Sequence, residues 1–184
     1  IHINGKGRSV SEIRREEMAK AMSKLGVADW IMWNFEDGKL KKTSNWKVRL
    51  RKILDETKAS LVVSYDLSGV TAHPDHIALS LEILRIYKTT TYFELLWVSF
   101  ADRIKDLMVS EKVLTYLETP QYELSLSFVE AVKKWRASFY HASQRLVSYL
   151  KQPWWLLSVT RRTEWYSKAM RGKKYKYRFV SFKI

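Results

Sequence analysis

Leu61-Val62-Val63-Ser64-Tyr65 is followed by Gly69-Val70-Thr71-Ala72-His73-Pro74-Asp75-His76, and then by a helical pattern from Ile77 to about Tyr87. The apolar, β-branched run predicts a strand of about five residues, and the stretch as a whole reads strand, polar loop, helix. Ile77, Ala78, Leu81, Ile83, Leu84 and Ile86 leave the helix apolar nearly all round, so it belongs in a core. A loop beyond the carboxyl end of a strand is where an α/β sheet places its chemistry. Pro74 suits the first helical turn, where its missing N–H is not needed. His76 then sits at the helix N-terminus, whose positive dipole end disfavours an imidazolium and leaves a neutral ring able to bind metal. Asp75, between the two histidines, can orient either ring. The same residues also suit a polar helix cap on a surface loop, and pattern alone leaves both readings open.

Outward from this stretch, strand and helix alternate from residue 1 to 87, which argues for a parallel sheet with right-handed crossovers. Ile1-His2-Ile3 reads as the end of a buried strand, and Asn4-Gly5-Lys6-Gly7 as a turn. Ser9 and Glu12 form a capping box opening a helix that Gly26 ends. Asp29–Trp33 reads as a strand running into the Asp37-Gly38 turn. Ser44 caps a helix with the apolar stripe Trp46, Leu50, Ile53 and Leu54. Residues 90–100 predict a strand, while 112–118 and 122–126 are strand or loop candidates around Pro120. Ser127 and Glu130 form a second capping box, opening a long helix to about Leu150. Residues 154–170 suggest a further helix and 175–182 a final basic strand.

At 184 residues the chain fits a single domain, with residues 160–184 as a basic, aromatic C-terminal extension. The absence of cysteine and of any long apolar run points to a reducing, cytoplasmic setting. The net charge of +14 implies an anionic partner. Between Arg161 and Arg178 eight Lys or Arg stand against Glu164 alone, interleaved with Trp165, Tyr166, Tyr175 and Tyr177. That mixture suits peripheral docking at an anionic membrane, and equally a solvated basic edge. No nucleic-acid-binding motif accompanies the charge.

Ala72-His73-Pro74-Asp75-His76 resembles the second motif of the LmbE/PIG-L-like zinc deacetylases, which remove acetyl groups from N-acetylglucosamine-type substrates. Glu12-Ile13-Arg14-Arg15-Glu16-Glu17-Met18, with Ala21 and Leu25-Gly26, is similar to that family's E-x-R-x-x-E helix. Lys134, Ala137, His141, Ser143 and Gln144 match its K-x-x-A-x-x-x-H-x-S-Q signature. The resemblance covers roughly residues 1–150 and implies a Rossmann-like three-layer domain with a mostly parallel sheet and a Zn2+ cofactor. It implies His76 as a zinc ligand, His73 as oxyanion stabiliser or acid, and Asp75 as the group holding the His73 ring. Arg14 and Asp37 are implied to bind substrate, and His141 and Gln144 to line the pocket. Arg14 and Glu17 also fit an ordinary i,i+3 ion pair.

The family's remaining ligands and general base come from an upstream His-Pro-Asp-Asp motif, which this chain lacks. Its one His-Pro is at 73–74, it has no Asp-Asp pair, and its four histidines are His2, His73, His76 and His141. His2 has no Asp partner and is not promoted to ligand. Thr71 stands where some members carry an aromatic. The N-terminal βα unit is thus expected to lie outside the sequence, because losing a central strand would expose a buried edge. The function expected is zinc-dependent deacetylation of an amino-sugar conjugate. The alternative is a non-catalytic module of the same fold that binds a glycan or an anionic headgroup.

Overall fold

The computed structural model describes residues 8–43, 45–99, 116–143 and 162–175. The chain divides into two compact units, Ile1–Asn34 with Ser125–Thr163 and Phe35–Leu124 with Glu164–Ile184.

In the first unit, α1 (Val10–Leu25) begins at the expected capping box, Ser9 and Glu12 each bonding the other's backbone N–H, and ends at Gly26 in the left-handed region. α5 (Phe128–Phe139) opens on the second expected box, Ser127 with Glu130. Glu17 of α1 is tied to the turn that follows α5. Glu17 is only 8% exposed, and its carboxylate accepts the Ser143 N–H at 2.7 Å and the Ser143 hydroxyl at 2.6 Å. Glu17 therefore turns to Ser143 and not to an ion pair with Arg14. Asp29–Trp33 carries no strand: Ile31 is 65% exposed, and the Met32 carbonyl accepts a bond from the Arg15 guanidinium. α5 also stops short of Leu150. After Phe139 the Tyr140 and His141 N–H groups bond to the carbonyls three residues back, the tighter pattern of a helix end. Residues 144–150, including Gln144, lie outside the described residues, as do Ile1–Gly7 and Ser44.

The second unit holds the sheet. α2 (Asn45–Thr57) buries Trp46 and Leu54 of its expected stripe. β1 (Leu61–Tyr65), an irregular turn α3 (Gly69–Ala72) and α4 (Pro74–Thr89) realise the strand, loop and helix. β2 (Glu94–Ser99) starts four residues later than Thr90, because Arg171 bonds the Thr90 and Phe93 carbonyls. β3 (Tyr122–Ser125) and β4 (Thr163–Lys168) complete the order β1-β2-β4-β3.

Among the described strands β1 and β2 pair in parallel, and β4 runs antiparallel to β2, pairing Leu96 with Lys168 and Val98 with Tyr166. Gln121 and Leu126 donate to the carbonyls of Tyr166 and Arg162, so β3 is antiparallel to β4 as well. Among the described residues the fold is therefore α/β, as expected, with a mixed and mostly antiparallel sheet in which β1 and β2 alone show the expected parallel pairing. The reason lies in residues 163–169, expected as helix. Ser167 and Ala169 alternate into the core while Lys168 stays at the surface, a period of two that only a strand satisfies.

The core joins Leu54, Leu67, Ile83, Leu84, Ile86, Tyr87, Phe93, Leu95, Trp97 and Ala169. The basic tail reaches into it. Arg171 lies 4.1 Å from the Tyr87 ring centre and 3.8 Å from Glu94, Lys168 pairs with Glu94 at 3.3 Å, and Lys173 with Glu118 at 2.9 Å. Three of the tail's cations thus serve the fold. No helix among the described residues is long and apolar enough to cross a membrane.

Candidate functional site

Asp66 follows the carboxyl end of β1 and is fully buried. One carboxylate oxygen accepts the Ser68 N–H at 3.0 Å and the Ser68 hydroxyl, and the other accepts the Glu118 N–H at 3.3 Å. Burial pushes its carboxyl pKa up, against the pull of these bonds. Ser68 in turn accepts the Val70 N–H at 2.9 Å. The next residues are forced into unusual backbone: Gly69, Val70 and Ala72 have φ of 65°, 63° and 62°. For Val70 and Ala72 such angles cost of order 1–3 kcal/mol each, and strain of this kind collects at functional sites. Pattern reading passed over Asp66, since a single Asp after a strand carries no sequence signal.

This turn is jammed against the start of α4. A Cβ added at Gly69 would lie 2.9 Å from Ile77 Cγ1, 3.0 Å from His76 Cβ and 3.1 Å from the Ile77 nitrogen. Only glycine permits both the φ and the approach. Buried Ser80 fastens the helix to the strand end, its hydroxyl lying within 2.9 Å of the Tyr65, Asp66 and His76 carbonyl oxygens. Pro74 takes the first helical position, and His73 is the N-cap.

The two rings are held in opposite ways. His76 Nδ1 lies 3.0 Å from the Gly69 carbonyl oxygen, which can only accept, so Nδ1 carries the proton. Its Nε2 is left with a free lone pair. The ring stacks on Tyr65 with centres 4.1 Å apart. Burial is the largest cause of a lowered His76 pKa, with the neighbouring His73 adding to it and the Gly69 carbonyl opposing, so the ring is neutral near pH 7. His73 Nδ1 accepts the backbone N–H of Asp75 at 3.3 Å, which leaves the neutral ring's proton on Nε2. That nitrogen is 3.5 Å from Asp37 Oδ1. The ring centres are 4.9 Å apart.

Asp75 touches His73 through its backbone. Its carboxylate holds the Asp37 loop instead, accepting the Gly38 N–H at 2.8 Å and the Leu40 N–H at 2.9 Å. The side chain beside the His73 ring is that of Asp37. The structure thus brings together Asp37, His73, Asp75 and His76. Arg14, exposed on α1, and His141, in the turn after α5, belong to the other unit.

Asp37, His73 and Asp75 each bring one ligand-type atom within 4.8 Å of the others. They form a possible Asp-His-Asp metal site, in which one nitrogen of His73 accepts the Asp75 backbone N–H. Among the described residues, His76 Nε2 is the one imidazole lone pair left open at this site, while a catalytic zinc takes about three protein ligands. The zinc site implied by the family is therefore matched only in part.

Residues 2–87 match the PIG-L family, described as GlcNAc-PI de-N-acetylase. This stretch is similar to that family. It contains the Glu17 helix, the Asp37 turn, the His-Pro-Asp-His loop and nearly all of α4, while His141 and Gln144 fall beyond it. No curated protein and no solved structure matches the chain.

Two outcomes follow from this geometry. Gly38→Ala carries only the left-handed strain of about 1–2 kcal/mol, since nothing lies near an added Cβ there. Gly69→Ala adds the clash with His76 and Ile77, and urea melts should show the larger loss; equal losses contradict the close approach. For pH, the unfolded His76 protonates near its ordinary 6.5, and the folded ring only below that. Between those values the unfolded chain binds the extra proton, so this contribution to stability is complete above about pH 6.5 and is lost as pH falls toward the folded value. Urea melts of the metal-free protein should show that fall, and His76→Gln should flatten it. An unchanged pH profile in the variant contradicts the burial of a neutral ring.

Proposed function

We propose that the protein is a metal-dependent de-N-acetylase acting on an N-acetylglucosamine-type conjugate. The observation that supports this best is the complementary state of the two histidines inside a PIG-L-family segment: His76 offers a lone pair and His73 an N–H. A metal, when bound, supplies a water of lowered pKa and polarises a carbonyl. In this reading Zn2+ is the metal and His76 Nε2 one of its ligands.

His73 Nε2–H is the donor for the oxyanion that forms on the acetyl carbonyl. A neutral N–H suits the role better than a shuttled proton, because a second proton on Nδ1 would face the Asp75 N–H. Asp37 keeps the proton on Nε2 and lies at the open side of the site, 81% exposed and within reach of a sugar hydroxyl. Asp75 acts by holding the Asp37 loop in place. Arg14, His141 and Gln144 remain proposed substrate contacts on resemblance alone. The shortage of open imidazole ligands among the described residues favours one second reading, a glycan- or headgroup-binding module without hydrolysis.

Acetate release and zinc content of the full-length protein decide between them. His76→Ala should lower bound zinc and abolish turnover. His73→Ala should keep the zinc and lower turnover about 10²–10³-fold, the scale for a lost oxyanion donor. Asp75→Asn should reduce turnover through the same group, and the double variant with His73→Ala should fall far short of additivity. Undiminished zinc in His76→Ala, or wild-type turnover in His73→Ala, refutes the assignment. Substrate binding without acetate release selects the second reading.

A further inference from the structure

A histidine side chain does not set its own ring. The torsion between Cβ and the imidazole is broad and two-fold, so neither the plane of the ring nor its flip is decided locally. For His76 the flip is decided by the Gly69 carbonyl, 3.0 Å from Nδ1, because the flipped ring would turn a carbon toward that oxygen. The plane needs a second partner, and Tyr65 provides it. The two rings stack with centres 4.1 Å apart and planes within 15° of parallel. The His73 ring also lies near, 4.9 Å away centre to centre, but it is tilted by 46° and offers no flat face to follow.

Tyr65 is itself held on a rigid element. It is the last residue of β1, paired with Val98 of β2, and its carbonyl accepts the Ser80 hydroxyl at 2.9 Å. Ser64 and Asp66 on either side are buried, so Tyr65 leaves the strand on the opposite side, where Val63 is 50% exposed. The ring is no member of the core built on Phe93, Leu95 and Trp97. Among the described residues none bonds its hydroxyl. Core packing and a phenolic hydrogen bond, two ordinary reasons for a tyrosine at a strand end, therefore do not account for it. The contact with His76 does.

The geometry points to Tyr65 as a positioning residue for His76. Its ring face fixes the imidazole plane, the Gly69 carbonyl fixes the flip, and together they aim the Nε2 lone pair in one direction before any metal arrives. The face of the ring acts and the hydroxyl does not. Partners that orient a ligating histidine typically matter about 10–100-fold in metal affinity, and a stack without a hydrogen bond belongs at the lower end. The inference deepens the proposed role of His76 as a zinc ligand and rests on it.

Two measurements on the full chain test it. In the metal-free protein, nuclear Overhauser effects should join the Tyr65 and His76 ring protons, and the stacked phenol should shift the His76 ring protons upfield. Zinc affinity, read by competition with a chromophoric chelator, should fall about tenfold in Tyr65→Leu and stay near wild type in Tyr65→Phe. Tyr65→Leu should also lose the upfield shift and show a mixture of His76 tautomers, while Tyr65→Phe keeps one. Val63→Ala, two residues back on the same side of β1, should alter neither reading, which separates loss of the stack from damage to the strand. An unshifted His76 in the wild-type protein overturns the inference with no variant needed, so a Tyr65→Leu chain that fails to fold does not shelter it. Wild-type affinity in a folded Tyr65→Leu chain overturns it too. So does a loss in Tyr65→Phe as large as in Tyr65→Leu, which would place the effect in the hydroxyl. Undiminished zinc in His76→Ala is instead the failure of the ligand assignment, and the metal-free spectra still report the stack.

Discussion

The close approach of Gly69 to the start of α4 is the constraint on which the site depends. It places the Gly69 carbonyl 3.0 Å from His76 Nδ1, and that bond settles which nitrogen of His76 is open. The strain in the turn is held by groups with no solvent to fall back on: Asp66 and Ser68 inside the turn, and Ser80 between helix and strand. Buried polar groups satisfied in this way specify one arrangement, because each broken bond would leave an unpaired donor or acceptor in a dry interior.

The second constraint is Asp75. Both of its oxygens hold backbone N–H groups of the Gly38–Leu40 turn, and its own N–H holds His73. One residue therefore sets the position of Asp37 relative to the His73 ring without touching the ring with its carboxylate. The same bonds fix where the lysines of that turn stand. Chemistry and surface charge meet in a single loop.

Much of both units was legible because the signals are local. Leu61–Tyr65, Pro74 at the helix start and both capping boxes lie where residue patterns place them. Residues 163–168 were misread because their burial depends on pairing with β2, which no local pattern reports. Asp29–Trp33 looked like a strand by composition, yet among the described strands it has no pairing partner, and strand propensity is realised only against a neighbour. In the site, the residue types were legible and their connections were not. Asp75 lies beside His76 and two positions from His73, so sequence suggests a carboxylate on a ring. Its bonds to Gly38 and Leu40 span 37 and 35 residues and appear only in the fold. Asp66 shows the same limit, since its importance comes from burial and not from any motif.

The account rests on the two histidines being opposite tautomers. Long-range proton–nitrogen correlation spectra of the uniformly ¹⁵N-labelled full chain near neutral pH, assigned with His73→Gln and His76→Gln, report the protonated nitrogen of each ring directly. The structure predicts a protonated Nδ1 with a bare Nε2 for His76, and a bare Nδ1 with a protonated Nε2 for His73. Spectra showing the same tautomer in both rings, or a protonated Nε2 on His76, would contradict the division of labour between ligand and donor.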